Sequence, residues 1–350
     1  MIPRTMTAAL LMGHGGLDCL SVRNDVPTPN PMADEVLIRV GAAGLNNTDI
    51  NLRVGWYSKS ADSGAAAADA GWTGTPIEFP CIQGADACGR IVAVGTGVTA
   101  ERIGERVLVN PILEDAGGDQ RRSPRYLGSD CDGAFAQYLR VPARSAVRIE
   151  SRLGDAQLAS FPCAYTAAEN MLSRAKVAGA DTVLVTGASG GVGSAAVQLA
   201  RRRGARVYAV AGTDKAAAVA ALGPDRVLSR DADLLVELGR ESVSVVIDVV
   251  GGATFGCLLG LLARGGRYAV AGAIAGAEVA LDLRTLYLKD LTLLGCTIPA
   301  AGLFETLVGY IERGEIRPVV SATYPLRDIA AAQEAFLSKA HVGKIVLVPD

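Results

Sequence analysis

The segment Thr182-Val-Leu-Val-Thr-Gly-Ala-Ser-Gly-Gly-Val-Gly-Ser194 constrains this chain more than any other part of it. A short β-branched apolar run meets a glycine-rich turn, and an apolar helical pattern continues to Arg203. Strand, tight turn and helix in that order form a cradle for a dinucleotide pyrophosphate. Gly190, Gly191 and Gly193 allow the backbone to approach the phosphates, and Gly193 also allows the helix to pack closely on the strand. The unpaired N–H groups at the helix start then face the anion. Gly187, Ala188, Ser189 and Val192 complete the loop, with Ala188 where a G-x-G-x-x-G pattern has its first glycine.

The following strand ends in Val210-Ala211-Gly212-Thr213-Asp214-Lys215. An acidic side chain at that end would bind the adenosine ribose diol and repel a 2′-phosphate. Ala211 and Gly212 leave room there, and Thr213 and Lys215 can serve a phosphate, whereas an inward-facing Asp214 would oppose one. The balance favours NADPH over NADH.

From about residue 156 the pattern alternates between strands and helices. It predicts helix 157–172, strand 182–185, helix 191–203, strand 206–210, helix 215–222, strand 226–228 and helix 231–238. Strand 244–249, helix 254–262, strand 266–271 and a last strand 291–296 follow. Such alternation gives a doubly wound parallel α/β sheet through right-handed crossovers. Residues 1–155 read instead as short strands at 35–40, 89–94, 106–109 and 134–141, forming a partly open β-barrel-like domain. The third stretch, 304–350, with helices at 302–313 and 328–339 and a closing strand 344–348, returns to the first domain; the nucleotide domain is 156–303. Between the early strands lie a long loop, Ser58–Pro80, with a helical turn near Ala65–Ala70, and a second polar loop, Glu114–Asp130.

With 350 residues, half hydrophobic and a net charge of −2, the chain can bury two cores and carries no electrostatic footprint for nucleic acid or an anionic membrane. Arg201, Arg202 and Arg203 close a helix, where cations meet the negative end of its dipole. Seven scattered cysteines without a C-x-x-C imply reduced thiols in the cytoplasm. The N-terminus shows no secretion signal, and the most apolar stretch, Val243–Ala263, is broken by Asp248 and glycines, so no membrane span is expected.

Several further segments carry a resemblance. Leu45-Asn-Asn-Thr-Asp-Ile-Asn-Leu-Arg-Val-Gly-Trp-Tyr57, Gly84-Ala-Asp-Ala-Cys-Gly-Arg-Ile-Val-Ala-Val-Gly95 and Asp132-Gly-Ala-Phe-Ala-Gln-Tyr138 are three of them. Cys163-Ala-Tyr-Thr-Ala167, the Gly187–Gly193 loop and His341-Val-Gly-Lys-Ile-Val346 complete the set. Together they resemble the medium-chain dehydrogenase/reductase superfamily, most closely its zinc-independent quinone oxidoreductase-like branch, nearly end to end. The resemblance implies a GroES-like catalytic domain beside a Rossmann domain. It implies further cofactor contacts at Thr166, at Val249, Val250 and Gly251, at Ala271, Gly272 and Ala273, and at Lys344, which is otherwise an exposed cation. It also implies a homodimer, with the apolar strand around Leu291–Gly295 pairing across a two-fold axis.

Zinc alcohol dehydrogenases of this superfamily hold their metal with Cys, His and Cys beside a Glu. The matching residues here are Asn46, Ala85 and Cys163, with Asp86 as the acid, and the region matching a structural-zinc lobe, about 110–130, lacks its four cysteines. One thiolate cannot hold a catalytic zinc, and the only two histidines, His14 and His341, cannot rebuild the site. No metal is expected, and Cys163 becomes a small buried hydrophobe. The quinone-reductase pattern then implies catalytic roles for Asn46, Asp49, Arg53 and Tyr57. Asn46 or Tyr57 would donate to the acceptor oxygen, and Asp49 with Arg53 would form a supporting pair, functional or purely structural. Asn51 departs from the second tyrosine common in quinone reductases. The implied activity is NADPH-dependent hydride transfer to a quinone or conjugated carbonyl. An enoyl-thioester reductase and a dinucleotide binder without turnover stay open as alternatives. Trp72 is placed to cover the pocket.

Overall fold

The computed structural model describes residues 1–57, 71–113 and 125–350. The expected turn at Ala65–Ala70 and most of the second polar loop lie outside those residues. The chain forms two compact units, Met1–Cys163 with Ile311–Arg313 and Pro318–Asp350, and Ala164–Tyr310 with Gly314–Arg317.

In the first unit, β1 (Thr5–Leu11), β2 (Leu20–Pro27) and β3 (Glu35–Gly44) lead into a short helix, α1 (Asn47–Arg53). β4 (Cys81–Ile82), β5 (Cys88–Val94), β6 (Arg106–Val109), β7 (Ile112–Leu113) and β8 (Arg125–Tyr126) follow. β9 (Tyr138–Pro142), β10 (Ala146–Arg148) and α2 (Asp155–Leu158) come next, before α3 (Pro162–Arg174) crosses into the second unit. There the order is β11 (Thr182–Val185), α4 (Gly191–Arg202), β12 (Arg206–Ala211), α5 (Ala216–Ala220), β13 (Arg226–Ser229) and α6 (Leu234–Leu238). β14 (Val243–Asp248), α7 (Phe255–Leu261), β15 (Leu262–Val270), α8 (Leu283–Leu288) and β16 (Thr292–Gly295) complete it. α9 (Leu303–Glu312), β17 (Val320–Pro325), α10 (Ile329–Leu337) and β18 (Lys344–Val348) form the tail.

The long strand β3 organises the first unit. Its one edge pairs antiparallel with β5, while the other is shared between β9, along Glu35–Arg39, and β18, at Ala43 and Gly44. The sheet runs β10-β6-β5-β3-β18-β17, and a three-stranded sheet β2-β1-β4 accompanies it. One strand serving two partners bends the sheet toward a barrel around Ile38, Leu45, Ile91, Phe135 and Leu139. Gly89 sits where β5 crosses β3: a methyl group there would fall 2.2 Å from the Arg39 carbonyl oxygen.

The second unit is a six-stranded sheet in the order β13-β12-β11-β14-β15-β16, parallel throughout. Strand order reverses between β11 and β14, the place where open α/β sheets bind ligands at their carboxyl ends. The arginines closing α4 are paired, Arg201 with Asp225, Arg202 with Glu315 and Arg203 with Glu169.

One expectation needs correction. The single helix over 157–172 is two helices, because Pro162 lacks the N–H an interior position needs and instead opens α3. The unit boundary falls at Cys163, beyond residue 155. Asp155 is held by Arg106 (2.7 Å) and α2 packs on β3 and β5, which keeps this stretch in the first unit. β1, β2, α1, β4, β7, β8, β10, α8 and β17 come as additions to the elements expected from sequence. No helix among the described residues is long and apolar enough to cross a membrane.

Candidate active site

The glycine loop leaves β11 between buried neighbours. Ala188 donates its N–H to Val210 O (3.0 Å) at the end of β12, and its methyl group is fully buried, so alanine is accommodated where the pattern has glycine. Gly187 adopts φ +56°, a left-handed conformation suited to glycine. At Gly193 a methyl group would lie 2.2 Å from Gly187 O, so helix and turn can touch only through a glycine. α4 begins with Gly190 as its N-cap, which has no side chain to cap the turn, and the first helical bond runs from Ser194 N to Gly190 O (2.9 Å). The N–H groups of Gly191, Val192 and Gly193 therefore lack partners within the helix, with Ser189 preceding them. This cradle fits a pyrophosphate.

The turns after β14 and β15 gather around it. A methyl group on Gly187 would lie 3.1 Å from Val249 and 3.2 Å from Val250 side-chain carbons. Gly272 approaches Val249 O, and Gly251 approaches Ala273, which brings the turn after β15 (Ala271, Gly272, Ala273) against the turn after β14. Thr166 on α3 is buried, and its hydroxyl has no hydrogen-bond partner among the described residues; nor has Asn170 Nδ2 one turn further on. Orphaned buried polar atoms of this kind suit a ligand that supplies the missing partner. Asn170 is a residue that sequence reasoning missed, although its i, i+4 spacing from Thr166 pointed to it.

At the end of β12, Thr213 Oγ1 meets Ser229 Oγ (3.2 Å), and Lys215 follows on the same turn. A methyl group on Gly212 would lie 2.6 Å from Asp214 Oδ1 and 3.8 Å from the guanidinium carbon of Arg230. Both an acid and a cation thus border this position. Arg230 escaped the sequence reading because it lies in the turn just after the next strand, β13.

Lys344 has a different place from the one expected. It is neither exposed nor phosphate-facing but buried in the first unit, where Nζ donates to Leu45 O (2.5 Å), Asn46 Oδ1 (2.6 Å) and Asp86 Oδ2 (2.8 Å). An ammonium has three donors, and all three are used. Asp86, fully buried, also accepts from Asn46 Nδ2 (3.0 Å) and from the Cys163 N–H (2.6 Å) at the start of α3. Asn46 gives its remaining amide contact to Gly44 O (3.3 Å), so its side chain is held within this cluster.

Asp49 and Arg53 do not pair with each other. Asp49 sits in the first turn of α1 and accepts from the Asn46 N–H (2.7 Å), closing the helix start. Arg53, one turn on, donates to Gln333 Oε1 (2.7 Å) and Gly15 O (2.8 Å) and so ties α1 to α10. Burial above all pushes the Asp49 carboxyl up to about 7 and the Tyr57 phenol up to about 12. The Tyr57 hydroxyl hydrogen-bonds with the side chains of Asn51 and Thr48. Of the four expected catalytic residues, Asn46, Asp49 and Arg53 thus hold α1 to its surroundings, while the Tyr57 hydroxyl meets side chains of α1 itself.

The Cys163 thiol contacts the Tyr126 hydroxyl (3.1 Å), so it is more than a buried hydrophobe. Burial and the nearby Asp86 push that thiol up to about 12. Trp72 stacks on Tyr126 with ring centroids 4.4 Å apart, placing it over this cluster. Of the three positions that hold zinc in the alcohol dehydrogenases, Asn46 has its Oδ1 engaged by an ammonium, Ala85 offers no lone pair, and Cys163 alone offers a thiol.

Two family models match the chain, "Alcohol dehydrogenase GroES-like domain" over residues 32–151 and "Zinc-binding dehydrogenase" over residues 191–313. An acryloyl-coenzyme A reductase of Metallosphaera sedula is 31% identical, over 98% of this chain and 99% of its own. The human quinone oxidoreductase is 27% identical over 99% and 98%. Among solved structures, a protein of Sinorhizobium meliloti provisionally described as an alcohol dehydrogenase is 47% identical with a TM-score of 0.94, covering 100% of this chain and 98% of that one. A 2-octenoyl-CoA carboxylase reductase in complex with NADP and 2-octenoyl-CoA is 27% identical with a TM-score of 0.86, covering 100% and 88%. A nucleotide-binding parallel sheet joined in one chain to a GroES-like barrel defines a class. The chain belongs to the medium-chain dehydrogenase/reductase superfamily and is an NAD(P)H-dependent oxidoreductase.

Proposed function

We propose that this chain is a zinc-independent, NADPH-dependent reductase whose acceptor is a quinone or an α,β-unsaturated carbonyl compound. The observation that carries this reading is the Lys344–Asp86–Asn46 cluster, in which an internal ammonium takes up the acceptors that a metal would need. Without a Lewis acid, a simple alcohol or ketone is poorly activated. A conjugated acceptor spreads its developing charge onto an oxygen that a hydrogen-bond donor can stabilise. The reduced nicotinamide, when bound, supplies the hydride. Tyr57, whose phenol is held in its protonated form, is the donor to the acceptor oxygen. Asn46, Asp49 and Arg53 hold the segment that carries it. Gly212, Thr213, Lys215 and Arg230 support a 2′-phosphate, against the single acid Asp214.

Within this class an enoyl thioester is the acceptor favoured by the relatives, since one is named for acryloyl-coenzyme A and another was solved with 2-octenoyl-CoA. The seven cysteines are free thiols, which suits a reducing cytoplasm.

Fluorescence titration with NADPH and NADH, followed by NADPH oxidation with quinones, conjugated ketones and enoyl thioesters, tests the proposal. Tighter NADPH binding and turnover of at least one acceptor class are expected. Tyr57→Phe should lower kcat/KM about 100-fold while leaving cofactor affinity unchanged. Equal affinity for the two dinucleotides sinks the cofactor preference, and unaltered turnover in Tyr57→Phe sinks the role of the phenol.

A further inference from the structure

We infer that Asp248 is a positioning residue for the dinucleotide cradle, one carboxylate that clamps the turn after β11 to the turn after β14. The inference rests on the reading that this loop holds a nicotinamide dinucleotide.

Asp248 is the last residue of β14 and is fully buried. Its Oδ1 accepts from the Thr186 hydroxyl (2.5 Å), the residue between β11 and the glycine loop, and from Val250 N–H (2.8 Å). The Gly251 N–H reaches both oxygens, at 3.3 Å and 3.2 Å. Tyr268, from the neighbouring strand β15, donates its hydroxyl to Oδ2. The Thr186 hydroxyl oxygen in turn accepts from Val249 N–H (3.2 Å). A buried carboxyl group needs hydrogen-bond partners, and here they come from two backbone amides, a hydroxyl and a phenol.

These donors come from three adjacent strands, all at their carboxyl ends, on both sides of the point where strand order reverses. Capping the end of β14 needs only the two amides of its own turn. The Thr186 and Tyr268 hydroxyls add nothing to that cap but fix where the glycine loop starts. The turn so fixed is a close fit: Gly187 stands against the side chains of Val249 and Val250, and Gly251 at φ +66° faces Gly276 O. Loss of the clamp lets the loop amides drift relative to Val249–Gly251, and a misplaced cradle binds its anion less well.

The test is isothermal titration calorimetry of the full chain with NADPH and with NADH, alongside its thermal unfolding. Thr186→Val removes the hydroxyl at nearly constant volume, and Thr186→Ser restores it. Thr186→Val should weaken both dinucleotides about tenfold, the equivalent of one charge-assisted hydrogen bond. Thr186→Ser should stay within about twofold of the parent. Tyr268→Phe, which leaves Oδ2 held by Gly251, should weaken both by an intermediate factor. A Thr186→Val protein that unfolds earlier yet binds with unchanged affinity when folded overturns the inference, because the hydroxyl then only stabilises the sheet. A parent chain that binds neither dinucleotide overturns the cofactor reading and the clamp with it. Since both dinucleotides share the pyrophosphate, a preference for NADH corrects only the choice of NADPH, and the Thr186 pair still decides the clamp.

Discussion

Asp49 is a carboxyl group with about 1% of its surface exposed, and its surroundings give it an unusual pH response. Burial raises it to about 7 and outweighs the Asn46 and Gly84 backbone bonds and the Lys344 charge, which pull the other way. A folded-state value above the unfolded one means that the native chain keeps a proton the unfolded chain releases. This contribution is most favourable below about pH 4, declines as pH rises to about 7, and stays at its least favourable above that. Asp49→Asn keeps an acceptor for the Asn46 amide and removes the titration. Denaturant unfolding should show the variant gaining on the parent by about 2–3 kcal/mol between pH 5 and pH 8. A constant difference across that range rules the mechanism out. The spacing of Asn46, Asp49, Arg53 and Tyr57 was legible in the sequence, but the partners of these residues were not. Arg53 finds Gln333 and Asn46 finds Lys344, almost the whole chain away, and no local period encodes such pairings. The opposite holds at Cys163, where the missing Cys and His partners were visible as residue types and needed no geometry.

The nucleotide-binding unit was largely legible because its central strands are largely buried and its helices bury one face. That difference writes continuous β-branched runs and a 3.6-residue rhythm directly into the sequence. β11, β6 and β18 have the ends expected of them. β1 and β2 were harder to see. They form a two-strand ribbon in which β2 is mostly exposed, so hydrophobic patterning marks it weakly. The glycine loop is the element where local chemistry and tertiary contact agree most closely. Gly193→Ala places a methyl group 2.2 Å from Gly187 O, and backbone on both sides leaves little freedom to yield. Pushing α4 away should cost about 1–3 kcal/mol in thermal or denaturant unfolding. It should also weaken dinucleotide binding more than about tenfold in the same calorimetric titration. Wild-type affinity in that variant would show that the helix start does not hold the pyrophosphate.

At the scale of the molecule, the parallel sheet leaves β16 at its edge, paired among the described residues with β15 on one side only. Leu293 on that strand is 37% exposed, and the chain just before it carries exposed Leu283, Tyr287 and Leu288 on α8. An unpaired strand beside exposed apolar side chains is an invitation to association unless something covers it. We propose that a second copy of the chain does so. A two-fold axis across β16 pairs the strand antiparallel with its own copy, satisfies the open backbone groups, and extends the sheet through both subunits. Sedimentation velocity of the parent chain should give twice the chain mass. Leu293→Lys puts a charge on the pairing edge, the device by which monomeric sheets protect themselves, and should shift the protein to the single-chain mass without losing dinucleotide binding. A parent that sediments as one chain refutes the dimer. A Leu293→Lys protein that remains dimeric moves the interface away from this edge.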